Sequence, residues 1–472
     1  MADLNKEEEA ESRQVGGAEY SWCRAVPGGT GTTVLALLLS KPIDITILQK
    51  SLHKLQINHP ILRSKLTSYQ PNTYSFLIPS SPYVQIQSSD STATSNLLKK
   101  LANSENNLSS VHRILEHELN LNVWSESGFG GSGSESEEDE DEDEDELDLF
   151  YATLYTLEEK WVLVFRIHTS ICDRTSAVTL LNEFLGLIGE DVDDMGIKDE
   201  VNLGIEDLIP SGKATKPFWA RGANLVGYSL NAFRFSNLDF VDTVSMPRSS
   251  GVVRLQLTTD ETERLLAGCQ ARGIKMSGAI AAAGMIAAYS LKELPDYQWE
   301  KYAVVTFVDC RKMLDPLLES HNLGFYYSGV LNTHDVNGGA ELWELASKCY
   351  VALTNSLDAN KHFTDMADLN YLMCKAIDNP SLTPSSSLRT SFIAVFEDPV
   401  FNNSSDLHQK LGLEDYIGCS SIHGVGPSIA VFDTIRNGAL DCECVYPMPL
   451  HSREQVQKLI DKMKRVLIEG SH

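Results

Sequence analysis

Two short segments combine residue types that can do chemistry. The first is His168–Arg174, with the sequence His-Thr-Ser-Ile-Cys-Asp-Arg, and the second is Asp309–Arg311, with the sequence Asp-Cys-Arg. Each directly follows an apolar run, which predicts a strand buried on both faces. A carboxylate is costly to bury without a cation beside it. We therefore expect Asp173 to pair with Arg311.

Strands and helices mix in both halves of the chain, and they must position these two segments. The apolar patterns predict strands over 32–39, 149–155, 161–168, 252–257, 302–308, 324–331, 390–396, 428–436 and 441–446. They predict helices after the caps Asp44 and Thr258, after Arg174, and over 93–119, 277–289, 340–357 and 452–469. This mixture indicates two α/β sandwiches. We divide the chain into a disordered N-terminus (1–16), a first half (17–195), a crossover (196–250) and a second half (251–472).

Much of the negative charge lies in one segment. The chain of 472 residues has a net charge of -26, and 12 of the 14 residues from Glu135 to Asp148 are acidic. The Gly/Ser and Asp/Glu tract over 125–147 offers no apolar surface to offset chain entropy, so it predicts a disordered insertion. The alternative is a docking site for a basic protein partner or a metal ion. The acidic balance argues against nucleic acid or an anionic membrane as a partner.

The cysteines and the N-terminus predict a cytoplasmic protein. Nine cysteines, an odd number without framework spacing, indicate reduced thiols. The N-terminus has no basic start followed by an apolar core, as a secretory signal would, and the longest apolar run, Val34–Leu39, is too short to span a bilayer. His168 and Cys172 would make only half of a metal site, so we expect no metal.

The segment His168–Arg174 resembles the HHxxxDG motif of the coenzyme-A-dependent acyltransferase superfamily. That group includes the plant BAHD acyltransferases, peptide-synthetase condensation domains and chloramphenicol acetyltransferase. Three further segments agree in order and spacing. His59–Arg63 is similar to H-x-x-L-R, Asp309–Arg311 to the DxR segment, and Gly424–Pro427 to DFGWG-x-P. The chain also resembles plant proteins described as condensation-domain-like, over residues 17–470.

The resemblance implies a fold, a ligand class and a set of site residues. It predicts two chloramphenicol-acetyltransferase-like mixed-sheet α/β sandwich halves joined by a crossover, in a monomer, with a tunnel between the halves and Thr169 near its middle. It implies an acyl-CoA co-substrate, a small-molecule acceptor and no bound cofactor. The catalytic candidates are Thr169, His168, Asp173 and His423, and the substrate-binding candidates are Arg174, Ser391, Gly424 and Gly426.

The chain departs from the motif at the catalytic base. In the family the second His takes a proton from the acceptor, and here Thr169 occupies that position. A threonine hydroxyl holds its proton at pH 7, and losing a general base typically costs about 10²–10⁴-fold in rate. Consecutive strand residues point to opposite faces, so His168 should face the core if Thr169 faces the tunnel. His423 is the other candidate base.

Three hypotheses follow for the function. In the first, the protein is an acyltransferase and another group is the base. In the second, the acceptor is a thiol or an amine that Thr169 only orients, and Thr169 could also hydrogen-bond the developing oxyanion. These two favour acyl transfer to a hydroxyl, amine or thiol. The third is an inactive relative that binds a thioester, a metabolite or a protein. Arg174 would then fill the tunnel or grip a carboxylate or phosphate, and the alternative for Arg174 is a surface position on the first helical turn.

Overall fold

The structure is a computed structural model, and it describes residues 11–42, 44–70, 73–101, 108–125, 146–189, 202–216, 235–383, 388–402 and 406–471. Its strands are β1 (Glu11–Gln14), β2 (Thr30–Leu39), β3 (Lys65–Gln70), β4 (Thr73–Ile78), β5 (Ile86–Ser89), β6 (Leu147–Asp148), β7 (Phe150–Thr156), β8 (Trp161–His168), β9 (Ser249–Gln256), β10 (Glu300–Asp309), β11 (Tyr327–Val336), β12 (Ile393–Phe396), β13 (Val400–Asn402), β14 (Leu413–Ile422), β15 (Ile429–Arg436) and β16 (Ala439–Met448).

The α-helices pack against these strands and against one another. They are α1 (Gly17–Ala25), α2 (Ile45–Asn58), α3 (Ser91–Leu101), α4 (Ser110–Asn120), α5 (Arg174–Gly189), α6 (Thr259–Ala271), α7 (Met276–Leu291), α8 (Leu342–Asp358), α9 (Lys361–Thr364), α10 (Met366–Asp378), α11 (Asp406–Leu411) and α12 (Arg453–Gly470). No single described helix is both long and apolar enough to cross a membrane, although α6 and α7 together pass that test across a bend of 108°.

Two lobes each have their own sheet and core. The first lobe holds a five-stranded sheet in the order β14-β2-β8-β7-β5 and a four-stranded sheet in the order β1-β4-β3-β6. The second lobe holds a seven-stranded sheet in the order β11-β10-β12-β15-β16-β9, with β13 beside β15. Both large sheets are mixed, because β5–β7, β10–β12, β12–β15 and β13–β15 are parallel pairs and the other pairs are antiparallel. The predicted mixed α/β fold is confirmed.

Strand β14 joins the two lobes. It lies in the second half of the chain, yet it pairs antiparallel with β2 of the first lobe, with Ile417 opposite Ala36. The patterns predicted no strand there, and the division into 17–195 and 251–472 placed this segment wholly with the second lobe. The side chains of Ile417 and Cys419 are buried with Ala430 and Val445 of the second lobe, so β14 is stabilised from both sides.

The N-terminal segment is ordered earlier than predicted. Residues 1–16 were expected to lack order, but Glu11–Gln14 form β1, which pairs with β4. Arg13 explains the difference, since its guanidinium lies 2.7 Å from Glu19 and stacks 5.0 Å from the centre of the Phe76 ring. Residues 1–10 and most of the acidic insertion (126–145) lie outside the described residues. The crossover is described only over 202–216 and from residue 235.

Several local predictions are confirmed. The Asp44 carboxylate accepts a hydrogen bond from the Thr46 N–H at 2.8 Å and begins α2. Thr258 and Glu261 form the capping box of α6. The hairpin β7–β8 delivers His168 to the turn before α5. The helix predicted over 93–119 is two helices, α3 and α4, and residues 102–107 between them are outside the described part of the chain.

Candidate functional site

A cavity lies between the two lobes, and about 1100 Å³ of it, including the part that opens to solvent, is free of protein atoms. Residues of α1, β2, α5 and β14 form one wall, and residues of β10, β12 and β15 form the other. The lining is mainly apolar and includes Trp22, Leu35, Val178, Leu181, Phe307, Phe325, Phe396, Ile422, Ala430 and Phe432. An apolar cleft with a few polar groups in its wall is typical of a small-molecule site.

Thr169 contributes its hydroxyl to this wall. It follows β8 directly, and its Oγ1 donates to the carbonyl oxygen of Gly31 at 2.6 Å. The same Oγ1 lies 2.8 Å from Thr33 Oγ1, which in turn lies 2.8 Å from Ser420 Oγ. Thr33 and Ser420 also line the cavity. We call Thr169, Thr33 and Ser420 the hydroxyl cluster.

Asp173 and Arg311 form the predicted ion pair. Arg311 Nη2 lies 2.9 Å from Asp173 Oδ2, and both side chains are almost fully buried. The backbone N–H groups of Ser176 and Tyr326 each donate to the Asp173 carboxylate at 2.8 Å. Burial raises the pKa of Asp173, and the Arg311 guanidinium and these two N–H groups act against that rise. Because its donors surround the carboxylate, Asp173 holds the turn before α5 in place.

Arg311 is the centre of this ion-pair arrangement. Burial disfavours its charge, but the carboxylates of Asp173 and Asp309 outweigh that effect and raise the pKa of the guanidinium. Its Nη2 also donates to Ser176 Oγ at 3.0 Å, and its Nη1 contacts Asp309 at 3.1 Å. The pair therefore joins the start of α5 in the first lobe to the end of β10 in the second.

His168 faces away from the cavity, as the strand alternation predicts. Its ring stacks edge-on against Trp124 at 5.2 Å, and its Nδ1 accepts from the backbone N–H of Ser170 at 3.2 Å. Burial lowers the pKa of His168 to about 3. The imidazole is therefore neutral near pH 7, and it is not among the residues that line the cavity. The geometry does not support the predicted catalytic role of His168.

His423 is also outside the cavity wall. Its Nδ1 lies 3.0 Å from Ser250 Oγ, and its ring packs so closely on Gly29 that a Cβ there would lie 2.0 Å from Nε2. Gly29 has a φ of +94°, which favours glycine in any case. Burial, with the charges of Arg389 and Arg248, lowers the pKa of His423 to about 4. Its predicted role as an alternative base is not supported.

Arg174 lies in the cavity wall and is not a surface residue of the first helical turn. Its guanidinium lies 4.3 Å from the centre of the Phe396 ring, and its Nη2 is 2.9 Å from the buried Asp433 carboxylate. Its Nη1 donates to the Asp398 carbonyl oxygen at 3.1 Å. Arg174 therefore reaches from α5 across to the second lobe, beside the Asp173–Arg311 pair.

Three predicted substrate-binding residues do not line the cavity: Ser391, Gly424 and Gly426. Ser391 is buried, and its carbonyl accepts from the Ser428 N–H at 2.9 Å. Gly424 packs against the backbone, since a Cβ there would lie 2.4 Å from the Gly28 carbonyl oxygen. These residues shape the backbone behind the wall, and a direct substrate contact is not supported for them.

Sequence reasoning missed Thr33 and Ser420. Thr33 stands on β2, whose apolar pattern gave no reason to single out a polar residue, and Ser420 stands on β14, which the patterns did not predict. Thr33 is preceded by Thr30 and Thr32, so a run of threonines entering an otherwise apolar strand was an available signal. Among the described residues no group of three or more His, Cys, Asp or Glu side chains is placed to hold a metal ion.

The thiols in the wall are poor acid–base groups. Cys172 and Cys419 both line the cavity. Burial, with the charge of Asp173, raises the pKa of Cys172, and burial with the nearby carboxylates raises that of Cys419. Both therefore stay protonated at neutral pH.

Comparison with known folds identifies the architecture. The structure of polyketide synthase associated protein 5 from Mycobacterium tuberculosis matches with a TM-score of 0.64 and 14% identity, over 97% of this chain and 98% of that one. A trichothecene 15-O-acetyltransferase from Fusarium sporotrichioides matches with a TM-score of 0.68 and 10% identity, over 99% and 97%. The chain has the chloramphenicol-acetyltransferase-like fold of acyltransferases and condensation domains.

Other comparisons agree with this fold. The epimerization domain from the third module of tyrocidine synthetase B matches with a TM-score of 0.60 and 13% identity, over 99% of this chain and 98% of that one. In sequence, residues 246–381 match the family model of the phthiocerol/phthiodiolone dimycocerosyl transferase C-terminus. No curated protein is significantly similar in sequence. The likeness is thus mainly one of fold, and it covers both lobes.

Proposed function

We propose that this protein binds the acyl group of an acyl-CoA-type thioester in the cavity and transfers it only to acceptors that need no general base. One observation carries the proposal. The hydroxyl of Thr169 stands in the cavity wall where the HHxxxDG motif has its second His, and its partners are the Gly31 carbonyl oxygen and Thr33. None of these groups can take up a proton at neutral pH.

The cavity supports the acyl part of the proposal. Its apolar lining suits a hydrocarbon chain, which gains about 0.8 kcal/mol for each CH₂ group removed from water. The fold shared with an acetyltransferase and with condensation domains favours the same ligand class. The Asp173–Arg311 pair, which is part of the motifs that the chain keeps, holds Thr169 at the start of the turn.

The missing base defines the acceptor. No histidine is among the described residues of the wall, and the Asp173 carboxylate is already occupied by Arg311. A thiol is a few per cent thiolate at pH 7 and is highly nucleophilic in that form. An alcohol has no such form at pH 7. The proposed acceptor is therefore a thiol, or an amine with a neutral fraction at cellular pH.

A transfer assay tests the proposal. Purified protein is incubated with acyl-CoA donors and with matched thiol, amine and alcohol acceptors, and free CoA is measured. We expect transfer to thiols and amines. Thr169→His should then raise transfer to alcohols by about 10²-fold or more, because it supplies a base. Thr169→Val is the matched control without a base. Transfer to alcohols by the wild type at a rate close to that of Thr169→His would contradict the proposal.

Binding without turnover is the second candidate function. Arg174 favours it, because the guanidinium fills part of the wall and pairs with Asp433 where the HHxxxDG motif has a glycine. In this case acyl-CoA would stabilise the protein, no acceptor would be acylated, and Arg174→Gly would change ligand affinity without creating turnover. A cytoplasmic location, a monomeric state, the absence of nucleic-acid and membrane partners and a basic partner for the acidic insertion remain proposals from the sequence.

A further inference from the structure

We propose that the hydroxyl cluster presents only hydrogen-bond acceptors to the cavity. The ligand group bound against Thr169 is then an N–H, S–H or O–H group, and not a carbonyl oxygen or an oxyanion. This inference deepens the proposed function, on which it rests, because it specifies which part of the reaction partners Thr169 contacts.

The direction of the hydrogen bonds follows from counting protons. A carbonyl oxygen can only accept, so the 2.6 Å contact between Thr169 Oγ1 and Gly31 requires Thr169 to donate. A hydroxyl has one proton, and that of Thr169 is therefore used. In the 2.8 Å contact between Thr33 and Thr169, Thr33 must then be the donor.

The same argument extends to Ser420. Because Thr33 has given its proton to Thr169, Ser420 must donate in the 2.8 Å contact between Ser420 Oγ and Thr33 Oγ1. All three protons are thus directed along the chain of hydroxyls toward Gly31. What remains free on each oxygen is lone-pair density, which only a hydrogen-bond donor can use.

This result changes the role expected of Thr169. A hydrogen bond from Thr169 to a developing oxyanion would require it to give up its bond to Gly31 in a buried site, and buried polar groups left without partners are costly. The geometry instead places an N–H of a neutral amine, or the S–H of a thiol before it ionises, against Thr169. Because the series of hydroxyls ends at the Gly31 carbonyl oxygen, it orients this proton and does not remove it. The proton that the amine loses on attack passes to the departing CoA thiolate, and a thiol loses its proton to water before it attacks as the thiolate.

Thr30 provides a control position in the cavity wall. It is 4% exposed, and its Oγ1 is itself buried, without a hydrogen-bond partner among the described residues. A Cβ on Gly424 would lie 3.0 Å from this Oγ1, so the hydroxyl faces the backbone of Gly424. The loss of this hydroxyl should therefore leave the acceptor-only character of the hydroxyl cluster unchanged.

The test compares two neutral ligands of similar shape, 4-phenylcyclohexanol and 4-phenylcyclohexanone. Their affinities for the full-length protein are measured by calorimetry. We expect the alcohol to bind about tenfold more tightly than the ketone. The alcohol can donate a hydrogen bond to Thr169 Oγ1, whereas the ketone oxygen can only accept one. The ratio of the Kd of the ketone to the Kd of the alcohol should fall toward one in Thr169→Val. It should remain near ten in Thr169→Ser and in Thr30→Val.

Three outcomes would overturn the inference: equal or tighter binding of the ketone, a ratio unchanged in Thr169→Val, or no binding of either ligand. A different result would show that only the proposed function is wrong. In that case acyl-CoA would neither bind nor react, but the protein would still prefer the alcohol, and this preference would still depend on Thr169.

Discussion

The buried pair of Asp173 and Arg311 is the residue-scale feature that the sequence predicted most directly. Two charges at the ends of buried strands need partners, and the structure places them 2.9 Å apart. The sequence could not show that Ser176 and Tyr326 also donate to Asp173, because those bonds depend on how the turn and β11 meet. The pair is therefore structural, and it positions Thr169 indirectly.

The losses of stability on removing the two members of this pair should be less than additive. Arg311→Met leaves the buried Asp173 carboxylate without its cation, and we expect it to lower the free energy of unfolding by about 3–5 kcal/mol. Asp173→Asn leaves Arg311 paired with the partly exposed Asp309 only, and we expect a smaller loss. The double variant should lose less than the sum of the two. Lys65→Met, which breaks a partly exposed pair with Glu146, is the control and should cost no more than about 1 kcal/mol. Additive losses in urea unfolding would contradict this assignment.

His168 predicts a dependence of stability on pH. Burial lowers its pKa in the folded protein to about 3, from 6.5, so the unfolded chain binds the proton first as the pH falls. The stability that neutral His168 provides is therefore complete above about pH 6.5 and is lost progressively toward pH 3.

His168→Gln should reduce this dependence. Between pH 6 and 4 the free energy of unfolding of this variant should fall less steeply than that of the wild type. We expect the two slopes to differ by up to about 1.4 kcal/mol per pH unit. His321→Gln, which changes an exposed histidine, is the control. Equal slopes for His168→Gln and the wild type in urea unfolding at several pH values would show that His168 is not held neutral.

Among the elements, β14 marks the limit of what the sequence could reveal. Periodic apolar patterns identified most of the strands and helices, including the hairpin that delivers Thr169. The sequence Leu-Glu-Asp-Tyr-Ile-Gly-Cys-Ser-Ser-Ile carries polar and small residues that mask its strand character. Its partner β2 lies more than 370 residues earlier in the chain. Because tertiary packing stabilises β14, local propensity could not find it or place Ser420 beside Thr33.

A charge in β14 should destabilise both lobes. Ile417 is 2% exposed and packs between them, so Ile417→Asp should lower the free energy of unfolding by about 3 kcal/mol or more. Ile47→Asp is the control, because Ile47 is 45% exposed. The measurement is urea unfolding followed by far-UV circular dichroism. A loss equal to that of the control would mean that β14 does not join the lobes.

The whole molecule is organised around the interface of its lobes. Apolar residues of β2, β8 and β14 pack there against β9, β12, β15 and β16. Arg254 adds a polar link, since its guanidinium lies 2.9 Å from Asp415 on β14 and also pairs with Asp441 on β16. The cavity and the hydroxyl cluster lie in the same interface. A ligand in the cavity therefore contacts both lobes, and its binding should stabilise the protein as one unit.

If the cavity binds an acyl group, acyl-CoA ligands should stabilise the protein against thermal unfolding. We predict that acyl-CoA raises the melting temperature, that the rise grows with acyl chain length, and that free CoA has a smaller effect. A ligand at 100 times its Kd adds about 2.7 kcal/mol of stability. Ala177→Trp, which fills the cavity from α5, should remove the dependence on chain length. No stabilisation, or an equal effect of free CoA and every acyl-CoA, would show that the cavity does not bind the acyl group.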